Sequence, residues 1–232
     1  MQQKITLVCM LMLTAVICRG QSSFNRGEDA MMQNKPADAV VFLESAVADD
    51  PSRATTYLYL GIVYEQLGRV DEAAAMYRRA LPIAGGLSAN VANNLGNVYF
   101  KTGNTDEAER YYTQAIGFDS VYSAAYLGRA NTRIKAGNLK NAIADYEQYL
   151  ILEPRSGQRS NIENLIALVR AEVAANEMRR QMAEEEERRI AQERQNLLDA
   201  VSASLQSAAD ASKGISSGAE SVEGYEGEFV LD

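Results

Sequence analysis

The sequence predicts an all-α protein, an array of stacked helix–turn–helix hairpins followed by a long charged helix. Three observations carry this. Small turn residues recur as Asn34, Gly68, Gly103 and Gly137, at a period of about 34 residues, the length of one helical hairpin. Five places after each stands an alanine (Ala39, Ala73, Ala108, Ala142), and four places further a large flat or apolar residue (Leu43, Tyr77, Tyr112, Tyr146). Seven places before each turn stands a small residue: Gly27, Gly61, Gly96 or Ala130. Small residues on one helix let the next approach closely, and large ones fill the groove beside them. Each such hairpin buries one side by itself, so neighbours must stack to complete a core.

The chain begins with a segment of a different kind. Residues 5–17, ITLVCMLMLTAVI, are unbroken apolar after a start carrying one lysine, Lys4. The run is shorter than the roughly 20 residues that span a bilayer. It matches the core of a secretory signal, with cleavage expected after Gly20, so residues 1–20 read as a signal peptide. Alternatives are lipidation at Cys18, for which the bulky Ile17 is a poor preceding residue, retention as an anchor, and a buried core helix. Membrane association follows only from retention or from lipidation of Cys18. Both cysteines, Cys9 and Cys18, lie here, so a cleaved chain has none to pair.

Residues 54–87 hold the clearest hairpin. Tyr57, Leu60, Gly61 and Tyr64 fall on one helical face, and Ala73, Ala74, Tyr77, Ala80 and Leu81 on another. Gly68 stands where the reversing chain needs positive φ. Pro82 should end the second helix early, and Gly85-Gly86 loosens the joint beyond it. Asp71-Glu72 and Asp106-Glu107 open second helices, where carboxylates favour the helix N-terminus.

These motifs resemble the tetratricopeptide repeat family. Leu60-Gly61, Tyr64, Gly68, Ala73, Tyr77 and Ala80 carry the likeness in the second unit. Leu95-Gly96, Tyr99, Gly103, Ala108, Tyr112 and Ala115 carry it in the third. The first unit joins through Arg26-Gly27 and Pro51, and the fourth through Arg129-Ala130 and Pro154. The resemblance covers residues 20–156 as four units, about 20–53, 54–87, 89–122 and 123–156. It implies a right-handed superhelical array with a capping helix after the last unit. It departs at Gly85 and Ser120, where a closing proline is usual, and at Tyr149 and Ala92.

After Pro154 the pattern changes. Ser160 or Asn161 can cap a new helix, and Ile162, Leu165, Ile166, Val169 and Val173 form one face, suited to the capping role. The helix then continues, charged on all sides, with Glu184–Arg188 and Glu185–Arg189 in the favourable i,i+4 order. Apolar spacing returns at Leu197, Leu198, Val201 and Leu205. Residues 158–211 therefore read as a capping helix extended either into a solvated rod or into a coiled coil, with a homo-oligomer formed through 172–205. Residues 212–232, rich in Ser, Gly and Glu, are expected to be a disordered acidic tail.

The net charge is −8, becoming −10 once Lys4 and Arg19 are removed, with 21 basic against 31 acidic residues. Nucleic acid is thereby disfavoured as a partner. The chain has no histidine, and no nucleophile–base pair or phosphate loop is present. No cofactor, metal or small-molecule substrate is expected, and the chain does not read as an enzyme. The resemblance points instead to a groove lined by the first helices, in which family members bind peptides. On the third unit's first helix Asn90, Asn93, Asn94, Asn97 and Lys101 adjoin one another, with Asn94 alternatively packed between helices. Asn131 and Lys135 hold the matching places on the fourth. Leu58, Ile62, Glu65 and Gln66 continue the surface on the second. Asparagine both donates and accepts, so it can pair with any extended backbone, and lysine attracts carboxylates. The bland alternative is a polar face that keeps the surface wet. The sequence thus reads as a scaffold for another protein's extended segment. Resemblance to exported bacterial repeat proteins places it in the periplasm or cell envelope. The alternative is a structural protein that self-assembles or bridges through its long helix.

Overall fold

The computed structural model describes residues 22–219. The segment read from sequence as a signal peptide, with Cys18, and the tail from residue 220 lie outside them. Among the described residues there is helix and no strand. Four hairpins follow one another: α1 (Ser23–Met32) with α2 (Pro36–Asp49), α3 (Ala54–Gln66) with α4 (Val70–Ala80), α5 (Ser88–Thr102) with α6 (Thr105–Phe118), and α7 (Ser123–Lys135) with α8 (Leu139–Leu152). The last helix, α9, runs from Arg159 to Ala219. Two compact units result, one ending at Ala171 and the other starting at Glu172.

Each hairpin turns where the repeat predicts. Asn34, Gly68, Gly103 and Gly137 have φ of 54°, 71°, 84° and 78°, the left-handed region that glycine enters without penalty and asparagine tolerates. Proline ends α4 as expected. The helix stops at Ala80, and two short 3₁₀ turns, Leu81–Ile83 and Gly85–Leu87, lead into α5. Side chains cap two helices: Ser22 accepts from the Asn25 amide (3.3 Å) and Asn104 from the Glu107 amide (3.2 Å).

The recurring small and large residues meet in the core. A Cβ added to Gly61 would lie 2.3 Å from the Tyr77 ring, and one on Gly96 would lie 2.7 Å from that of Tyr112. Only glycine allows helices this close to an aromatic face. Ala39, Ala73, Ala108 and Ala142 are fully buried beside them. Gly128 has the same relation to Tyr112 from the next repeat, 2.4 Å from its ring, so that ring is clasped between glycines of α5 and α7.

The last two repeats are also joined by charge. Arg129 donates to both oxygens of Asp145 (2.9 and 2.7 Å), and Arg133 donates to Asp145 (2.7 Å) and to Glu109 of α6 (2.7 Å). The Asp145 side chain is 5% exposed. Burial is the largest single influence and disfavours the charged Arg129, but the bonds and charge of Asp145, with the charges of Tyr126 and Glu109, together outweigh it and raise its pKa.

α9 begins at Arg159, earlier than a cap at Ser160 or Asn161 would place it. The Ser156 hydroxyl instead accepts from the Gln158 amide (3.2 Å). Ile162 and Ile166 join the buried cluster of Ala142, Tyr146, Tyr149 and Leu150, and Val169 is buried too. Ile162 and Ile166 close the apolar end of the last hairpin. Ser212 does not end the helix, which continues to Ala219. In the second unit Glu184 pairs with Arg188 (3.8 Å), but Arg189 pairs with Glu186 (2.6 Å) rather than Glu185, since i,i+3 neighbours are equally close on a helix. These pairs are exposed, and each contributes a few tenths of a kcal/mol at most, roughly.

Candidate peptide groove

The candidate site lies along α3, α5 and α7. Between α3 and α5 an open cleft of about 550 Å³ is lined by Ile62, Glu65, Gln66, Asn90, Asn94 and Lys101, with Tyr77 at its back. Six of the residues singled out from sequence thus share one cavity. Asn94 Nδ2 donates to Asn90 Oδ1 (3.1 Å), and Asn94 is half-buried. Gln66 and Lys101 are exposed, while Ile62 is half-buried.

Two of the expected surface residues belong to the interior. Leu58 is buried in the core cluster with Val91 and Leu95. It stands one turn from Ile62, and its apolar side chain is drawn into the core rather than left on the groove face. Asn93 is only 6% exposed, and its side-chain Oδ1 has no partner. Three residues from Asn90, it stands about 60° round the helix, off the groove face and into the packing.

The remaining asparagines are held by the core. The Tyr112 hydroxyl donates to Asn97 Oδ1 (2.7 Å), and the Tyr146 hydroxyl to Asn131 Oδ1 (2.6 Å). In the second hairpin, α3–α4, Ile62 occupies the matching place. There the Tyr77 hydroxyl reaches Glu65 Oε1 instead (2.7 Å), and Lys101 donates to Glu65 Oε2. The residues carrying these hydroxyls were legible in the sequence as packing tyrosines; their bonds to the groove were not. Burial, then the bond to Glu65, pushes Tyr77 far above the ordinary tyrosine pKa. Burial, then the Glu65 charge, does the same for Tyr112, and burial alone raises Tyr146. The hydroxyls therefore stay protonated and donating.

The two lysines differ. Lys101 is tied to Glu65, so its charge is largely answered within the groove. Lys135 is exposed and sits over the Phe100 ring, its Nζ 5.3 Å from the centroid, a weak cation–π contact at an exposed site. Among the described residues no three His, Cys, Asp or Glu side chains are placed to hold a metal ion, and no helix is long and apolar enough to cross a membrane.

An array of stacked helical hairpins with a polar groove along its first helices defines a class of helical-repeat protein. Two models described as tetratricopeptide repeat match the chain, over residues 52–120 and 93–158. The chain belongs to the tetratricopeptide repeat family. Its first hairpin, α1–α2, lies outside both matches but shows the same turn and small-to-large packing. The crystal structure of MamA protein superposes with a TM-score of 0.58 at 20% identity, covering 64% of this chain and 81% of that one. A second MamA crystal structure gives 0.52 at 23% identity, over 55% and 74%. A chain of the APC/C hetero-tetramer Cut9–Hcn1 gives 0.56 at 18% identity, over 62% and 29%. At these identities the likeness is one of fold. No curated protein matches the sequence.

Proposed function

We propose that this protein is an interaction scaffold that holds an extended segment of a partner protein along α3, α5 and α7. The observation that carries this is the convergence of side-chain amides on one groove face. Asn90 and Asn94 line the cleft with Lys101, and Asn97 and Asn131, at matching places on α5 and α7, are held by tyrosines from behind. Amides at successive first helices match the repeating polar groups of an extended backbone. The apolar amino-terminal run supports export, so the partner is sought in a bacterial envelope. Affinity capture with the full chain, read by mass spectrometry, tests the reading. A partner retained by the wild type should be lost, by about tenfold or more, when Asn97 and Asn131 both become Ala. Retention by the double variant at wild-type level overturns the groove.

A second reading has its own support. Ile190, Leu197, Val201 and Leu205 recur at spacings of seven, four and four, so they share one face of α9, and each is about half exposed or more. Self-association through this face narrows the sequence expectation of 172–205 to its distal part. Sedimentation equilibrium should show an oligomer that Leu197→Asp with Leu205→Asp converts to monomer. A wild type that is already monomeric at high micromolar concentration refutes this reading.

A further inference from the structure

The bonds behind the groove decide what the groove can offer. Tyr112 and Tyr146 are buried, and each hydroxyl has one proton to give. The acceptors they meet are Asn97 Oδ1 and Asn131 Oδ1, at 2.7 and 2.6 Å. If either amide flipped, its Nδ2 would face the hydroxyl, and the buried hydroxyl proton would lose its acceptor. That loss costs about 1–3 kcal/mol, enough to hold the amide one way round. With Oδ1 turned to the tyrosine, Nδ2 is the group left for a ligand. Oδ1 keeps a second lone pair, but it is turned toward the tyrosine, so the asparagine presents its donor to the ligand.

The second hairpin, α3–α4, breaks the series in an instructive way. Ile62 stands where Asn97 and Asn131 stand, and Tyr77 is satisfied by Glu65, whose other oxygen takes Lys101. That end of the groove offers an apolar wall and a carboxylate already engaged. The groove therefore has a direction, apolar at α3 and donating at α5 and α7.

Resting on the peptide-groove reading above, we infer that Tyr112 and Tyr146 are positioning residues that set Asn97 and Asn131 as fixed donors. The groove therefore selects an extended peptide whose backbone carbonyls face α5 and α7 and whose apolar side chain meets Ile62.

The test uses the full chain and a probe free of charge. A random peptide library lacking charged residues, acetylated and amidated at its ends, is selected on the wild type, and the tightest peptide is kept. Asn97→Asp keeps the shape and the tyrosine bond but replaces the donor by an acceptor. It should weaken the probe by at least about tenfold, because a carbonyl would then face a carboxylate. Tyr112→Phe with Tyr146→Phe keeps the packing and both asparagines but frees the amides to turn. It should weaken the probe by about three- to tenfold, the value of one or two modest hydrogen bonds. In ¹⁵N-edited spectra the Asn97 side-chain NH₂ pair should shift on peptide addition in the wild type. In Tyr112→Phe that shift should shrink, while that of Asn131 persists. A purely structural role for Tyr112 would not separate the two signals. Wild-type affinity in Asn97→Asp, or in the double phenylalanine variant, overturns the donor assignment even if Asn97→Ala still abolishes binding. Unchanged binding in Asn97→Ala with Asn131→Ala instead overturns the groove itself.

Discussion

Asp145→Ala should lower the stability of the array by about 3–5 kcal/mol, the range for removing one member of a buried ion cluster. Asp145 receives three charge-assisted bonds, two from Arg129 and one from Arg133. Its removal leaves two guanidinium groups, 13% and 16% exposed, without their main counter-charge. Thr113 still accepts from Arg129 (3.0 Å) and Glu109 from Arg133, which places the loss toward the lower end. Asp145→Asn keeps one acceptor and should cost less. Replacing Arg129, Arg133 and Asp145 together by leucine or methionine should restore most of the loss, since no buried charge is then stranded. Urea unfolding followed by circular dichroism at 222 nm reads all three. A loss under about 1 kcal/mol for Asp145→Ala would mean that the cluster behaves as a surface ion pair and does not hold the last repeats together.

That cluster also shows where sequence reading stops. The four turns were legible because each demands an unusual φ, and few residues supply it. The pairs Gly61–Tyr77 and Gly96–Tyr112 were legible because both members lie in one repeat and recur in register. Gly128 escaped because its neighbour, Tyr112, comes from the preceding repeat, and nothing in the register of α7 announces it. Arg129 was visible only as a family feature beside Ala130. Its partner Asp145 sits on α8, a helix whose other charges are solvated. In the groove, the asparagine stripe was read from helical spacing alone. Spacing places a residue to within a sector but does not say where packing closes over it. Leu58 and Asn93 fell on the buried side of that line, Asn90, Asn94 and Asn97 on the open side. The signal for the tyrosine bonds was present, since Tyr77, Tyr112 and Tyr146 occur where Phe would pack as well. A hydroxyl at a fully buried recurring position has to find an acceptor.

Tyr112→Ala should be the most damaging single change in the middle of the array, at about 3–5 kcal/mol. The ring is 1% exposed and lies between Gly96 and Gly128, so it belongs to two hairpins at once. Truncation opens a cavity where the ring lay between the glycines and the small side chains of Ala92, Ala108, Ala115 and Ala125, none of which can extend to fill it. It also removes the bond to Asn97. Because stability in such arrays is close to a sum of repeat and interface terms, the damage should be local. The variant is expected to split a single unfolding transition into two, with residues beyond α6 losing protection from hydrogen exchange before α1–α4. Tyr112→Phe separates the contributions. It keeps the ring and should cost only about 1 kcal/mol, the worth of an ordinary hydrogen bond. Gly128→Ala approaches the same contact from the other side. Helix propensity favours alanine by about 1 kcal/mol, but overpacking against the ring costs about 1–3 kcal/mol, so the net change should be destabilising. A stabilised Gly128→Ala would show that Tyr112 can move aside, and that the clasp is looser than a 2.4 Å approach requires.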